Sequence, residues 1–304
     1  MKKIVELEKF AEKIKGKIIF DYDLKKTNWF NIGGKAKAFF KPESLVELIN
    51  FIKEFGKKEK FFILGAGSNV LISDEFFDGV VIKLGKIFSN ITILPNKTIV
   101  AGSATIDKKL SEFAYENEVG GFEFLSCIPG SIGGGLRMNS GCFEKEFKDI
   151  LVSVQALNKS GEVLTIPASS IQFGYRENNL DKDLIFLSAS FKGALKEKKE
   201  IKELMNNLKM KKNETQPTQI KTGGSTFKNP INYTNKKVWE LIKQSTPLDT
   251  KFGDAEISKK HCNFFVNKKE ASFKDMKDLI EFVKKKVKSK TGIQLETEIE
   301  IINQ

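Results

Sequence analysis

Two glycine-rich segments have the residue types best suited to hold a phosphate group. The first spans residues 65–69 (Gly-Ala-Gly-Ser-Asn) directly after the apolar run ending at Leu64, and the second spans residues 128–135. Glycine lets the backbone curl so that its N–H groups converge on an anion without a side chain in the way. Neither segment has the G-x-G-x-x-G or P-loop pattern, which disfavours a Rossmann or kinase-type interpretation. Taken alone, each loop is more typical of a tight turn.

Arginine is almost absent from this lysine-rich chain. Of 51 lysines and arginines, only Arg137 and Arg176 are arginines. The chain therefore uses lysine wherever any positive charge will serve. A guanidinium kept against that bias indicates a need for a planar, multi-donor cation that cannot lose its proton. Chance retention of two codons is the alternative.

Composition indicates a globular protein. The 304 residues are 40% hydrophobic and 11% aromatic, which excludes a disordered chain and favours two or three packed units. No apolar run approaches the roughly 20 residues that span a bilayer, and the first residues lack a signal-peptide core. We therefore expect a cytoplasmic protein with no membrane partner.

Charge and cysteine content exclude further classes. The formal net charge is +12, but the lysines are spread along the whole chain, so we expect no nucleic-acid partner. The charge can still steer a polyanionic ligand. Three cysteines without a CxxC pair, together with the single His261, predict neither disulfides nor a zinc site.

Alternating strands and helices must position the two loops. Hydrophobic periodicity predicts strands over residues 35–41, 60–64, 98–103, 151–157, 162–166 and 184–191, and helices over 43–55 and 107–118. The strands at 151–157 and 162–166 are expected to form a hairpin. The first helix should bury Leu45, Leu48, Ile49 and Ile52. This half of the chain is predicted to be α+β.

The second half is predicted to begin near Gly193 and to hold three helices and a final strand. The helices are expected over residues 196–212, 238–244 and 273–288. The inward faces are Ile201, Leu204, Met205 and Leu208 in the first helix, and Met276, Leu279, Ile280, Val283 and Val287 in the last. Strand alternation over 293–302 places Leu295, Thr297 and Ile299 on one face and Glu296, Glu298 and Glu300 on the other.

Short motifs in a fixed order extend over nearly the whole chain. They are residues 27–34 (TNWFNIGG), 64–69 (LGAGSN), 128–134 (IPGSIGG), 138–141 (MNSG), 175–176 (YR), 224–230 (GSTFKNP) and 258–264 (SKKHCNF). In this order they resemble the UDP-N-acetylenolpyruvoylglucosamine reductase family. The resemblance implies an α+β fold with a two-lobed FAD-binding module of the vanillyl-alcohol-oxidase (PCMH) type over residues 1–193, split near 80–90. A smaller α+β substrate-binding domain would occupy 194–304.

The same resemblance implies that FAD is bound by the glycine loops, with its pyrophosphate held on backbone N–H groups. The cofactor-binding residues that it implies are Gly65, Ala66, Gly67, Ser68, Asn69, Ile128, Pro129, Gly130, Ser131, Gly133, Gly134, Asn139 and Gly141. The implied reaction is NADPH-dependent reduction of the enolpyruvyl double bond of UDP-N-acetylenolpyruvoylglucosamine, giving UDP-N-acetylmuramate for peptidoglycan. Hydride would pass from NADPH to flavin N5 and then to the methylene carbon.

Hydride addition to this alkene leaves an enolate that needs a fixed cation and a proton donor. The family match makes Arg176 the cation, Ser225 the proton donor and Glu298 the acid that assists protonation. A glutamate in this role must be protonated, so its pKa is expected to be raised by burial. The match also implies substrate contacts by Tyr175, Lys228 and Asn229.

Each assignment has a plainer alternative. Ser225 could be a turn hydroxyl, Arg176 a salt-bridge partner and Glu298 an exposed acid on a strand. His261 is expected to be a structural hydrogen-bonding residue, and Cys127 is given no role.

The chain departs from the family pattern in three places, which leave substrate closure and phosphate contacts open. Glu300 stands where arginine is frequent, a tyrosine-bearing loop found in some members is missing, and residues 209–212 are lysine-rich. The rival interpretations are a flavin oxidase or dehydrogenase acting on an alcohol or hydroxy acid, and a basic noncatalytic protein that binds nucleotides or nucleic acid. The expected partners are small molecules only, bound by a monomer.

Overall fold

The computed structural model describes residues 2–303, and their backbone contacts divide them into two compact units. Unit 1 consists of the residues up to Tyr22, Lys37–Ala66 and Asp78–Met210. Unit 2 consists of Asp23–Ala36, Gly67–Phe77 and the residues from Lys211 onward. Each compact unit is thus assembled from three separate segments. The domain boundary predicted near Gly193 stays a prediction.

Unit 1 contains two main sheets. The four-stranded sheet has the order Lys17–Asp23, Lys35–Lys41, Phe77–Ile82, Phe61–Ile63, and a few residues at its strand ends belong to unit 2. The five-stranded antiparallel sheet has the order Val163–Pro167, Leu151–Leu157, Ile185–Phe191, Ile99–Gly102, Ile91–Ile93. The predicted hairpin is confirmed, since Leu157 pairs with Val163.

Unit 1 also contains three pairs of two-residue strands. The pairs are Gly141–Cys142 with Lys145–Glu146, Phe173–Gly174 with Glu177–Asn178, and Val119–Gly120 with Ala194–Leu195.

The α-helices that lie in or begin in unit 1 are Lys2–Ala11, Leu45–Phe55, Asp107–Glu116, Ile132–Arg137 and Lys198–Thr215. Helix Leu45–Phe55 begins after Ser44, whose hydroxyl accepts the Glu47 N–H at 3.1 Å, an N-cap that satisfies a free donor. Its buried stripe is Leu48, Phe51, Ile52 and Phe55. Leu45 was predicted to face inward but is exposed, because it is the first helical residue, beyond the edge of the core.

Helix Lys198–Thr215 also differs from its prediction at one position. Ile201 and Met205 are buried as expected, whereas Leu204 is 41% exposed. A narrow buried stripe is typical of a helix that packs on one side only. Short 3-10 turns lie at Lys25–Thr27 in unit 2 and at Lys86–Ser89, Glu123–Cys127, Phe147–Asp149 and Ala168–Ser170 in unit 1.

Unit 2 has two helices, Val238–Ser245 and Phe273–Thr291, and a three-stranded antiparallel sheet of Lys251–Phe252, Ala255–Ile257 and Phe265–Asn267. A parallel pair joins Val70–Ile72 to Glu300–Ile302. Helix Phe273–Thr291 begins at a capping box formed by Ser272 and Asp275 and ends at Gly292, whose φ is +74°. All five predicted inward residues of this helix are buried.

The core of unit 2 combines side chains from all three of its segments. Phe30 and Ile32 come from the first segment, Leu71 from the second, and Phe227 and Leu279 are among those from the third. Burial of large apolar side chains contributes about 1.5–3 kcal/mol each. The short segments at 23–36 and 67–77 are therefore part of the hydrophobic core of unit 2.

The predicted strand over residues 293–302 is wrong for most of its length. Only Glu300–Ile302 forms a strand, while Thr297 makes an isolated β-bridge to Phe227. The reason is that this stretch changes partner along its length: Thr297 pairs with Phe227, whereas Glu300–Ile302 pairs with Val70–Ile72.

Among residues 2–303, none of the helices combines the length and apolar character that a membrane span needs.

Candidate active site

Ser225 begins a short segment, residues 225–228, which makes isolated β-bridges at Ser225 and Phe227 and which we call the Ser225 segment. Gly224, just before it, has a φ of +81°, a left-handed conformation that favours glycine. Gly223 packs closely on the ring of Phe30, because a Cβ added there would lie 2.4 Å from Cε2. The two glycines therefore turn the chain tightly into Ser225.

Glu298 lies on a segment paired directly with the Ser225 segment. The Glu298 N–H donates to the Thr226 carbonyl at 2.8 Å, and the Lys228 N–H donates to the Glu296 carbonyl at 2.9 Å. Both segments belong to unit 2. The structure thus brings together two of the three predicted catalytic residues, Ser225 and Glu298, on adjacent stretches of backbone.

The three glutamates predicted to share one face are not equivalent. The Glu296 side chain is 67% exposed and Glu300 is exposed, whereas Glu298 is half-buried. Leu295 and Ile299, on either side of it, are buried. Glu298 is therefore the acid whose surroundings differ most from water.

Asn69 supports the Glu298 segment from within unit 2. Its Nδ2 donates to the Glu298 carbonyl at 3.0 Å, and its own carbonyl accepts the Glu300 N–H at 2.9 Å. Asn69 was predicted to bind cofactor. In unit 2 its side chain fixes the backbone of a predicted catalytic residue, and the cofactor contact remains a prediction.

Arg176 lies in unit 1, in the two-residue turn of the hairpin at residues 173–178. Its φ is +62°, a region that costs a non-glycine residue about 1–3 kcal/mol and is often found at functional sites. Nη2 donates to the Gly141 carbonyl at 2.8 Å, and Nη1 lies 3.7 Å from Glu146 Oε1. Cζ lies 4.9 Å from the centre of the Tyr175 ring. The guanidinium is therefore held in a defined place.

Asn139 braces the hairpin that carries Arg176. It is fully buried and has a φ of +43°. Its Nδ2 donates to Glu146 Oε2 at 3.0 Å and to the Gly174 carbonyl at 3.1 Å, and its Oδ1 accepts the Lys148 N–H at 3.1 Å. The side chain of Asn139 is thus used within the protein, so we expect any cofactor contact from its backbone.

The second glycine loop is laid against the segment that follows strand Ile99–Gly102. The Gly133 N–H donates to the Ser103 carbonyl at 2.8 Å, and the Ile132 N–H to the Thr105 carbonyl at 2.9 Å. Gly134, next in the chain, is exposed. The loop is therefore anchored on one side and open on the other, as a backbone surface for an anion must be.

A buried acid lies behind this loop, and sequence reasoning missed it. Asp107 is fully buried, and within residues 2–303 neither of its carboxylate oxygens has a hydrogen-bond partner. Burial raises the pKa of Asp107 well above its ordinary value. A Cβ on Gly130 would lie 2.5 Å from its Oδ2. Three nearby residues of the chain also have buried hydroxyls without a partner in the described range: Ser103, Thr105 and Ser111.

The first glycine loop is divided between the units, and its start, Gly65 and Ala66, lies in unit 1 together with the second loop. A Cβ on Gly65 would lie 2.9 Å from Ser131 Oγ, so a side chain at Gly65 would force the Ser131 hydroxyl to move. Among the described residues, no hydrogen bond engages the N–H groups of Gly65 and Ala66. Lys83 Nζ donates to the Gly65 carbonyl, and burial, with repulsion from Lys41, lowers the pKa of Lys83. These free donors beside a lysine suit a phosphate.

Comparison with known proteins gives two family matches and close relatives. Residues 36–167 match the FAD binding domain, and residues 216–302 match the C-terminal domain of UDP-N-acetylenolpyruvoylglucosamine reductase. The chain is 67% identical over 299 residues to the UDP-N-acetylenolpyruvoylglucosamine reductase of Pelagibacter ubique, covering 98% of this chain and 99% of the relative. The chain belongs to the UDP-N-acetylenolpyruvoylglucosamine reductase family. The reductase of Rickettsia typhi is 44% identical, over 95% of this chain and 97% of that one.

A crystal structure from the same family has the same fold. The UDP-N-acetylenolpyruvylglucosamine reductase (MurB) of Thermus caldophilus superimposes with a TM-score of 0.81 at 27% identity, covering 95% of this chain and all of that one. The predicted family, the α+β fold class, the FAD-binding module with its C-terminal domain and the FAD cofactor are therefore confirmed.

The predicted substrate residues have structural contacts in this member of the reductase family. Lys228 Nζ lies 3.6 Å from Glu296 Oε2. Asn229 Oδ1 accepts the Val238 N–H at 3.0 Å and so satisfies a free donor in the first turn of helix Val238–Ser245. Tyr175 lies against the guanidinium of Arg176. Their roles in substrate binding remain predictions. The described residues contain no cluster of three or more His, Cys, Asp or Glu placed to hold a metal ion.

Proposed function

We propose that this protein uses NADPH and FAD to reduce the enolpyruvyl double bond of UDP-N-acetylenolpyruvoylglucosamine, giving UDP-N-acetylmuramate for peptidoglycan. Relatives at 67% and 44% identity carry the name of this reductase over nearly their whole length. The FAD binding domain and the reductase C-terminal domain occur together in the chain. A cytoplasmic location and a monomeric state stay predictions from the sequence.

The residues present fit FAD. Within the described part of the chain, the backbone N–H groups of Gly65 and Ala66 have no hydrogen-bond partner, and a Cβ on Gly65 would crowd the Ser131 hydroxyl. We assign the pyrophosphate to these N–H groups and to the exposed backbone of Gly134. When bound, FAD supplies hydride transfer from NADPH to the enolpyruvyl carbon.

Ser225 is proposed to give the proton. Its backbone is fixed by the turn at Gly224 and by pairing with the Glu298 segment. A hydroxyl held in a constant position can protonate the adjacent carbon from one side, because general acid catalysis requires the donor within hydrogen-bond reach of the reacting atom.

Glu298 and Arg176 are proposed to stabilise the carboxylate as negative charge develops on it. A half-buried Glu298 that is protonated can donate a hydrogen bond to this group. The Arg176 guanidinium supplies a cation that keeps its charge. Preorganised donors of this kind lower the barrier because they need no rearrangement during the reaction.

The observation that carries this proposal is the direct backbone pairing of the Ser225 segment with the Glu298 segment, with 2.8 Å between Glu298 N and Thr226 O. Without it, two residues far apart in sequence would have no reason to act together. A flavin oxidase would not need the segment that carries this serine to pair with the segment that carries this acid.

Anaerobic stopped-flow measurement of the two half-reactions tests the proposal. We expect NADPH to reduce the flavin of Ser225→Ala at nearly the normal rate, while reoxidation by the enolpyruvyl substrate slows about 10² to 10⁴-fold, the usual contribution of a general acid. Ser245→Ala, a half-buried serine of the same unit, is the matched control and should leave both rates unchanged. Equal slowing of both half-reactions by Ser225→Ala would contradict the assigned role.

A further inference from the structure

The motif at residues 258–264 has no part in the proposed reaction, yet the structure places it beside the Ser225 segment. Ser225 and Phe264 form a β-bridge. The Ser225 segment is therefore flanked by two stretches of chain, the Glu298 segment and this motif. All of these residues lie in unit 2.

Asn263 makes most of the contacts on this second side. The Thr226 N–H donates to the Asn263 backbone carbonyl at 2.7 Å. The Phe227 N–H donates to Asn263 Oδ1 at 3.0 Å, and Asn263 Nδ2 donates to the Phe227 carbonyl at 2.9 Å. Three hydrogen bonds from one residue thus hold the two residues that follow Ser225.

The chemistry of these contacts requires a primary amide of this length. The side chain must accept from one backbone group and donate to another of the same residue, and aspartate has no donor for the second bond once ionised. Asn263 is 3% exposed, so water does not compete for these bonds. An unmade bond at such a site costs more than the bond contributes when formed.

The turn that presents Asn263 is itself braced. The Asn263 N–H donates to His261 Nδ1 at 3.3 Å, and the Phe264 N–H donates to the His261 carbonyl at 2.9 Å. The His261 ring meets the Phe264 ring edge-on, with centroids 4.9 Å apart. The amide of Asn263 is therefore delivered to the Ser225 segment in one orientation.

We propose that Asn263 is a positioning residue for the Ser225 hydroxyl: by fixing both polar groups of Phe227 and the N–H of Thr226, it sets where the proton donor lies. This inference rests on the proposed function, because that function makes Ser225 the donor. Asn263 acts through the backbone and does not touch the reacting atoms.

Amide hydrogen exchange of the flavin-loaded protein tests the contact without reference to turnover. In the wild type, the Phe227 amide should be protected like that of Glu298, which is bonded on the other side. Asn263→Ala should raise Phe227 exchange about 5- to 10-fold, the worth of one hydrogen bond. A Phe227 amide that is unprotected in the wild type would overturn the inference, and this arm does not depend on whether the variant folds.

The half-reactions test the consequence for chemistry, with Asn267 as the matched control. Asn267 is also buried in unit 2, and its amide bonds the Phe30 carbonyl and the Ala271 N–H, both at 2.8 Å. We expect Asn263→Ala to slow reoxidation by the enolpyruvyl substrate about 10- to 100-fold, as small misplacements of reacting groups do, with normal flavin reduction by NADPH. Asn267→Ala should not separate the two half-reactions.

Two different failures are distinguishable. If the wild type is reoxidised normally and Asn263→Ala behaves like Asn267→Ala, the positioning role is overturned and the proposed function survives. If the reduced wild type is not reoxidised by the UDP-sugar at all, the proposed function is overturned, and the role of Asn263 with it.

Discussion

In unit 2, the Ser225 segment is hydrogen-bonded on both sides, to the Glu298 segment and to Asn263. In unit 1, the second glycine loop rests on Asp107, whose buried carboxylate oxygens lack partners among the described residues. A proton donor must be fixed to a fraction of an ångström. A loop that binds an anion through its backbone N–H groups needs, above all, to let the anion come close to the backbone. The buried polar groups behind such a loop can remain without hydrogen bonds, at a cost in the stability of the fold.

The largest expected effect tests whether a guanidinium of unit 1 takes part in the reaction, in addition to the backbone surface that unit 1 offers to the cofactor. Arg176→Lys should slow flavin reoxidation by the enolpyruvyl substrate about 10² to 10³-fold, the usual cost of losing one preorganised donor. Reduction by NADPH should change little. Stopped-flow absorbance of the flavin measures both rates.

Arg137→Lys is the matched control, because it removes the other guanidinium of unit 1. Arg137 donates to the carbonyls of Asp181 and Leu184 at 2.9 and 2.7 Å and lies over the Phe186 ring. Its substitution should lower stability and leave reoxidation unchanged. If the two variants slow reoxidation alike, Arg176 has no special role.

The next effect tests the cost of the unsatisfied groups behind the glycine loop. Burial raises the folded-state pKa of Asp107, so the folded protein favours the protonated carboxyl. The protonated carboxyl therefore contributes its full stability below about pH 4, and this contribution is lost as pH rises. Asp107→Asn should therefore stabilise the protein at pH 7.5 by about 1–3 kcal/mol and have little effect near pH 3.5. Urea unfolding at the two pH values measures this.

Ser111→Ala is the control for the pH dependence of that gain. It removes a buried hydroxyl that lacks a partner in residues 2–303 and that does not titrate. Any gain in stability should be the same at both pH values. A pH-independent gain for Asp107→Asn as well would show that ionisation of the carboxyl is not the source of the cost.

A smaller effect separates placement of Ser225 from stability in general. Gly224 and Gly292 both have left-handed φ values, +81° and +74°, and a Cβ added at either position would have no neighbouring atom within 4 Å. Alanine at either position should cost about 1–2 kcal/mol of stability. Only Gly224→Ala should also slow flavin reoxidation. Equal kinetics in the two variants would separate this turn from catalysis.

The smallest effect concerns the brace below Asn263. Burial lowers the folded-state pKa of His261 below its ordinary value of 6.5. The neutral His261 ring therefore contributes to the stability of the folded protein above about pH 6.5, and this contribution is lost as pH falls. A protonated Nδ1 can no longer accept the hydrogen bond from the Asn263 N–H. Thermal unfolding between pH 5 and 7.5 should show a shallower acid-side decline in His261→Gln than in the wild type. Identical slopes would contradict this account.

Local sequence patterns predicted most of the elements that position the site. Apolar spacing located helix Phe273–Thr291 and its inward residues, because a stripe with a helical period needs no knowledge of its partner. The prediction of the last strand over residues 293–302 was wrong for most of its length, because the alternation of apolar and polar residues does not indicate which segment a strand pairs with. Glu298 and Glu300 look alike in the sequence, and only the tertiary pairing distinguishes them.

The predicted roles of Ser225, Arg176 and Glu298 came from resemblance. The rarity of arginine had singled out Arg176 from composition alone, whereas a serine and a glutamate are ordinary surface residue types. Asn263 lay in a recognised motif, yet its function depends on contacts with Phe227, 36 positions away. Asp107 gave no signal, because an acid at the start of a helix is usual. Long-range contacts and the burial of single polar groups are properties that composition and periodicity do not contain.

The composition of unit 2 has a consequence for engineering the protein. A fragment beginning near residue 194 would lack Phe30, Ile32 and Leu71, which pack in the core with Phe227 and Leu279. Such a truncated polypeptide should expose an apolar slot and aggregate. Added peptides covering residues 23–36 and 67–77 should restore its solubility, so that unit 2 could be reassembled from separate pieces.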